Sequence, residues 1–148
     1  MLGRVAGIDY GTVRIGIAVS DPDRILASPY ETYPRKNEQA DANYFRRLAQ
    51  EEQVVQFVVG LPVHLSGEAS EKSKEAVKFA DWLTKQTGIP VDFVDERFTS
   101  VEAEQHLRGA KLTNKKRKDR RDKIAAQILL ATYLESGPIP PERVAGIE

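Results

Sequence analysis

Three observations predict a mixed α/β sheet with helices on both faces. Short runs rich in Val and Ile are separated by turn residues near the N-terminus and by helix-length segments further on. The first three runs follow one another closely, as antiparallel neighbours do. Each of the last two follows a helical pattern, as crossover strands do. The resulting order, β-β-β-α-β-α-β-α-α, gives five strands: three antiparallel, then two added by crossovers.

The elements follow in order. Val5-Ala6-Gly7-Ile8-Asp9 and Arg14-Ile15-Gly16-Ile17-Ala18-Val19-Ser20 are joined by a turn containing Gly11 and read as a hairpin. Ile25 to Tyr33 reads as a third strand, and Pro29, which cannot donate to a ladder, assigns it to the sheet edge. Ala42, Phe45, Leu48 and Ala49 recur at helical spacing between Glu38 and Glu52. Gln53 to Val59 is a β-branched run closed by Gly60-Leu61-Pro62, as expected of a buried strand. A helix is predicted from about Glu68 to Thr87, stopped by Gly88 and Pro90. Val91 to Val94 is the fifth strand and leads into Asp95-Glu96-Arg97. Thr99 and Glu102 form a capping box for a helix reaching about Arg108, and a last helix spans about Asp119 to Glu135. Residues 1–136 form one domain in this reading, and 137–148, opening Gly137-Pro138-Ile139-Pro140-Pro141, form a loosely extended tail.

Composition narrows the chemistry. A chain of 148 residues, 30% charged and 41% apolar, suits one soluble domain that buries about two-thirds of its unfolded surface. No apolar run approaches the roughly 20 residues of a membrane helix, and Asp9 interrupts the only stretch that could serve as a signal peptide. With no cysteine there is no disulfide, thiolate metal site or cysteine nucleophile. His64 and His106 are too few and too far apart for a typical zinc site. A cytoplasmic protein is expected, and any metal it uses is a hard one held by carboxylates.

The net charge of zero conceals an asymmetry. Between Arg108 and Lys123, nine basic residues stand against Asp119 and Asp122, leaving the rest of the chain correspondingly acidic. Solvated helix faces usually mix signs, whereas a single-sign cluster marks a polyanionic partner. The cluster lacks the bulky apolar residues of a membrane-surface helix, so nucleic acid is the expected partner.

Acidic residues gather at one edge of the predicted sheet. The first strand and the two crossover strands end there, in Asp9, in Gly60-Leu61-Pro62 and in Asp95-Glu96. Asp disfavours strands, and its ordinary role at this place is turn formation. Asp122 precedes Ala126, Leu129 and Tyr133 by four, seven and eleven residues, which puts it on the sheet-facing side of the last helix. The small Ala125 and Ala126 let that helix approach closely. A helix N-terminus favours Asp in any case, which accounts for Asp119 better than for Asp122. Three converging carboxylates suit Mg²⁺ or Mn²⁺, and two such ions about 4 Å apart suit phosphodiester hydrolysis.

These residues resemble the YqgF/RuvX family of RNase H-like proteins. The likeness rests on Gly7-Ile8-Asp9-Tyr10-Gly11-Thr12 with Arg14 to Asp21, and on Val59-Gly60-Leu61-Pro62 with Gly67. It also rests on Asp95-Glu96-Arg97 before Thr99, and on Asp122 with Ala125-Ala126 and Ile128-Leu129. The resemblance implies an RNase H-like fold and a nuclease, described first as a Holliday junction resolvase and later as maturing the 5′ end of pre-16S ribosomal RNA. It places the catalytic, metal-holding acids on Asp9, Glu96 and Asp122. Substrate contacts are expected at Gly11, Thr12, Arg14, Gly60 and Arg97 in the motifs, and at Lys115, Lys116, Arg117 and Arg121 in the basic stretch. Three departures stand out. Val13 replaces a frequent Lys, Val63-His64-Leu65-Ser66 replaces a segment that often contains Asn, and Gly60-Leu61-Pro62 lacks the acid that many RNase H-like nucleases carry at that strand end.

Structured RNA is the favoured substrate and a four-way DNA junction the alternative, with the oligomeric state open. Asp9-Tyr10-Gly11-Thr12 also resembles the first phosphate loop of actin-like ATPases and sugar kinases, but those enclose a nucleotide between two such domains and this chain supplies one. A nucleic-acid-binding protein with vestigial acids is the remaining reading.

Overall fold

A computed structural model describes residues 2–62, 71–95, 114–140 and 144, with backbone alone for 114–119. The elements are β1 (Arg4–Asp9), β2 (Arg14–Ser20), β3 (Ala27–Pro34), α1 (Glu38–Glu51), β4 (Val54–Leu61), α2 (Glu71–Thr87), β5 (Val91–Asp95) and α3 (Asn114–Ser136). The sheet order is β3-β2-β1-β4-β5. β2 runs antiparallel to both β1 and β3, while β1, β4 and β5 are parallel. The five-stranded mixed sheet expected from the sequence is the sheet observed.

Strand alternation sorts the side chains onto two faces. Ala6, Ile8, Ile15, Ile17, Phe57, Val59 and Leu61 meet α1 and α2 on one face. Phe45 of α1 is fully buried there, edge-on to Phe57, Phe79 and Trp82. Val5, Ala18, Val58 and Val94 meet Ala126, Leu129 and Leu130 of α3 on the other face. Burying Leu129 and Leu130 completely is worth about 1.5–3 kcal/mol each. By the same alternation Asp9, two residues beyond Gly7, belongs to the α3 face.

Missing side chains govern how close α3 lies. A Cβ at Gly16 would stand 2.0 Å from the carbonyl oxygen of Asp122, and one at Gly7 would stand 2.8 Å from Leu130 Cβ. The helix backbone rests directly on β2 and β1 at these points. Gln127 Nε2 donates to Ala27 O (3.0 Å) and the Tyr133 hydroxyl to Asp92 Oδ2 (2.7 Å), fastening α3 across the sheet from β3 to β5.

Several boundaries differ from the sequence-based expectation, each for a physical reason. β3 starts at Ala27 because the N–H groups of Ile25 and Leu26 donate to Asp21 Oδ1 (2.7 and 2.8 Å) in the preceding turn. Pro29 does lie on an edge strand, beside an irregularity in the β2–β3 register. β4 continues through Gly60 and Leu61, which pair with Val94 and Asp95. α3 begins at Asn114 rather than near Asp119, since Lys and Arg are good helix formers and need no apolar periodicity to continue a helix. Gly88 ends α2 as expected, with φ +74° and its N–H on Thr84 O. Of the segment expected as a loose tail, residues 137–140 and 144 are described. Ile139 is buried and donates from its N–H to Phe93 O (2.8 Å), covering part of the open edge of β5. The predicted helix over 99–108 lies outside the described residues.

Candidate active site

At the edge where β1 ends, a cavity of about 550 Å³ opens between the β1–β2 turn, the start of α2 and α3. Six of the residues singled out from the sequence line it: Asp9, Gly11, Thr12, Arg14, Arg121 and Asp122. They come from two stretches of the chain, residues 9–14 and 121–122. Asp9 is the last residue of β1, and its register partner is Gly16. Because Gly16 is where the backbone of Asp122 touches the sheet, the strand-end carboxylate and the helix carboxylate reach the same cavity. The intervening turn is tight: a Cβ at Gly11 would stand 2.3 Å from Arg14 O.

Asp122 is held in place. Arg14 Nε donates to its Oδ2 at 2.7 Å, an ion pair in which the Asp122 side chain is 17% exposed and that of Arg14 is 30% exposed. Arg14 thus balances the charge of Asp122 on the wall of the cavity.

Sequence reasoning missed two lining residues, Lys72 and Glu75 of α2. They face the cavity one helical turn apart, three residues being near neighbours on a helix surface. Their signal was weak, since charged residues at the start of a helix ordinarily just face solvent. Val13, where the resembling family often carries Lys, lines the cavity at 69% exposure, and the cavity's lysine comes from α2 instead.

Other expected site residues are placed differently. Gly60 is buried within β4, paired with Val94, and is not among the lining residues. Glu96 and Arg97 lie outside the described residues, Glu96 directly following Asp95 at the end of β5. Lys115, Lys116 and Arg117 occupy the first turn of α3, and their side chains also lie outside the described residues.

The donors suit a hard divalent ion: among the described residues the walls offer the carboxylates of Asp9, Asp122 and Glu75 and no histidine, and the chain has no cysteine. Among the described residues no three acidic or histidine side chains come together closely enough to form a complete metal cage.

A sequence model of the RuvX family, described as a Holliday junction resolvase, matches residues 3–136. The chain is 53% identical over 134 residues to a protein of Rhodopirellula baltica named "Putative pre-16S rRNA nuclease", covering 90% of this chain and 78% of that one. It is 42% identical over 140 residues to a Koribacter versatilis protein of the same name, covering 95% of this chain and 92% of the other. Among solved structures, T. thermophilus RuvC in complex with a Holliday junction substrate superposes with a TM-score of 0.55 at 15% identity, over 93% of this chain and 98% of that one. That likeness establishes the RNase H-like fold. With a family match over nearly the whole length and relatives this similar, the chain belongs to the RuvX family of nucleases.

Proposed function

We propose that this protein is a metal-dependent nuclease that hydrolyses phosphodiester bonds in the 5′-end processing of pre-16S ribosomal RNA. The observation that carries the proposal is the meeting of Asp9 and Asp122 in one cavity with the cations Arg14, Arg121 and Lys72. The names of the two relatives above support the RNA substrate.

In this reading Asp9, Asp122 and Glu96 hold Mg²⁺ or Mn²⁺. When bound, the metal supplies an activated water and charge stabilisation at the leaving oxygen. The chain's own residues do the rest. Arg14 holds the Asp122 carboxylate in position through their ion pair, and Arg121 and Lys72 attract the phosphate. The tight β1–β2 turn, which only glycine at position 11 allows, brings Arg14 back beside Asp9 on the cavity wall. The first turn of α3 carries Lys115, Lys116 and Arg117 in its sequence and no acid, a composition that, like the helix dipole, favours phosphate.

The family description supports a second reading, resolution of four-way DNA junctions, which needs two active sites in a dimer. The substrate is nucleic acid in either reading, and among the described residues no helix is long and apolar enough to cross a membrane. Cleavage with Mg²⁺ or Mn²⁺ of a pre-16S precursor and of a four-way junction, at equal protein concentration, separates the readings. Specific cutting of the precursor alone supports the first, and symmetrical cutting of the junction alone overturns it.

A further inference from the structure

A second cavity, of about 340 Å³, adjoins the first. It shares Tyr10 and Glu75 with the active-site cavity and continues along α2 past Lys78, Phe79 and Trp82 to Arg35. Its walls are flat groups held in fixed positions. The Tyr10 ring packs on Phe79 with centroids 4.9 Å apart, and Phe79 on Trp82 at 5.5 Å. The Arg35 guanidinium lies over both Tyr10 and Phe79, 5.6 and 5.8 Å from their centroids. Asp41 holds Arg35 Nε at 3.2 Å, and the Tyr10 hydroxyl accepts from one terminal nitrogen at 3.3 Å. The Trp82 indole N–H donates to Glu38 Oε1 at 3.2 Å.

We propose that this second cavity is a nucleobase subsite, which takes one unpaired nucleotide of the substrate strand adjacent to the phosphate at Asp9 and Asp122. The base stacks on the wall formed by Trp82 and Arg35, and Lys78 faces the phosphate of that nucleotide. The proposal rests on the nuclease reading for the course of the strand from one cavity to the other, past the Tyr10 and Glu75 walls that they share. Aromatic rings and guanidinium planes are the surfaces on which proteins stack splayed-out bases, and every base has a face to offer them. Bases inside a duplex already stack on one another and offer none. The volume lies at the low end of small-ligand pockets, room for one nucleotide and not for a helix. Glu75 on the shared wall makes a site for anions alone a poor fit, whereas a carboxylate accepts hydrogen bonds from the exocyclic amino groups of adenine, cytosine and guanine. The rings and Arg35 are already immobilised, so little side-chain freedom is lost on binding.

Trp82 is the chain's sole tryptophan, which makes its fluorescence a direct probe. The titration uses full-length protein without divalent metal, a five-nucleotide single-stranded RNA and a blunt duplex of the same sequence. Saturable quenching by the single strand, with little by the duplex, is the expected result. Trp82→Ala should weaken the single strand about 5- to 150-fold, read by anisotropy of a labelled oligonucleotide. Trp82 also packs on Phe45, so Lys78→Glu, on the exposed side of α2, is the second variant and should weaken binding several-fold with no change in circular dichroism. Equal quenching by the duplex, no quenching, or unchanged affinity in both variants would overturn the subsite. So would equal affinity for a free nucleoside monophosphate, which would make this a site for small nucleotides. Because the readout needs no cleavage, a wild type that quenches but cuts nothing would strike the nuclease reading and leave the base subsite standing.

Discussion

Gly16→Ala is the substitution that most directly tests whether the close approach of α3 to the sheet builds the site. The added Cβ would lie 2.0 Å from Asp122 O and 2.5 Å from its carbonyl carbon, both backbone atoms that no rotamer change can move. Restoring an ordinary contact of 3.4 Å requires the helix and β2 to part by about 1.4 Å. Over-packing of a tight contact costs about 1–3 kcal/mol and sometimes more, and the backbone contact places this case at about 3 kcal/mol. For a chain of this length that corresponds to a fall in Tm of about 6–12 °C. The same movement carries Asp122 away from Asp9, and a misplacement of about 1 Å can cost a hundredfold in rate. Gly7→Ala is the graded control. Its Cβ would stand 2.8 Å from Leu130 Cβ and 3.2 Å from Ala126 O, so its cost should be smaller, about 1–2 kcal/mol, with less effect on activity. Thermal unfolding and initial cleavage rates of the two variants check the order. A Gly16→Ala protein with wild-type Tm and rate would refute the claim that backbone contact at Gly16 sets the position of Asp122.

The remaining predictions concern charge. Replacing Lys115, Lys116 and Arg117 together with Ala should weaken binding alike on unrelated sequences and flatten the plot of log affinity against log salt. For each phosphate left without its cation, the slope should change by about 0.7 units on a single strand and about 0.9 on a duplex. An unchanged slope would place these residues away from the substrate. Stability should decline at both extremes of pH. Burial, with donation to Asp41 and Asp92 respectively, pushes the Tyr33 and Tyr133 hydroxyls up to about 12. Their contribution is complete below the ordinary tyrosine value near 10 and is lost as pH rises towards 12. Burial opposes ionisation of Asp41, but the Lys36 N–H, the Tyr33 hydroxyl and Arg35 outweigh it and hold the carboxyl below the ordinary range. That contribution is complete above about pH 4 and is lost as pH falls through the lowered value. Urea midpoints across the pH range check both limbs, and Asp41→Asn should remove the share of Asp41 from the acid one.

The sheet was legible because its signals are local. Val and Ile runs, the turn at Gly11, Pro29 on an edge and Gly88 after a helix each carry their meaning within a few residues. The helical phase of Asp122 relative to Ala126 and Leu129 likewise put it on the sheet side before any contact was known. What the sequence did not disclose depends on contacts distant along the chain. The pairing of Arg14 with Asp122 spans 108 positions. The place of Lys72 and Glu75 on the cavity wall depends on where α2 lies over the sheet edge. Gly7 and Gly16 read locally as weak points in strands, and only the path of α3 above them shows that their lack of a side chain lets the helix settle. The start of α3 was missed because residues 114–123 are all charged or polar and give no apolar rhythm. Ile139 sits among prolines, the ordinary mark of a free tail, and its burial follows from the open edge of β5.

The central claim is that the Asp9 and Asp122 carboxylates together form a metal-dependent phosphodiester-hydrolysing centre. Its most direct test is the initial rate of pre-16S precursor cleavage with Mn²⁺ by the wild type, Asp9→Asn and Asp122→Asn, each with its circular dichroism recorded. Both variants should keep the wild-type spectrum and lose at least about a hundredfold in rate, since each removes a metal-facing charge and with it several kcal/mol of transition-state stabilisation. A folded Asp9→Asn or Asp122→Asn protein that cuts at the wild-type rate, or wild-type cutting that persists after chelation of all divalent metal, would contradict the account.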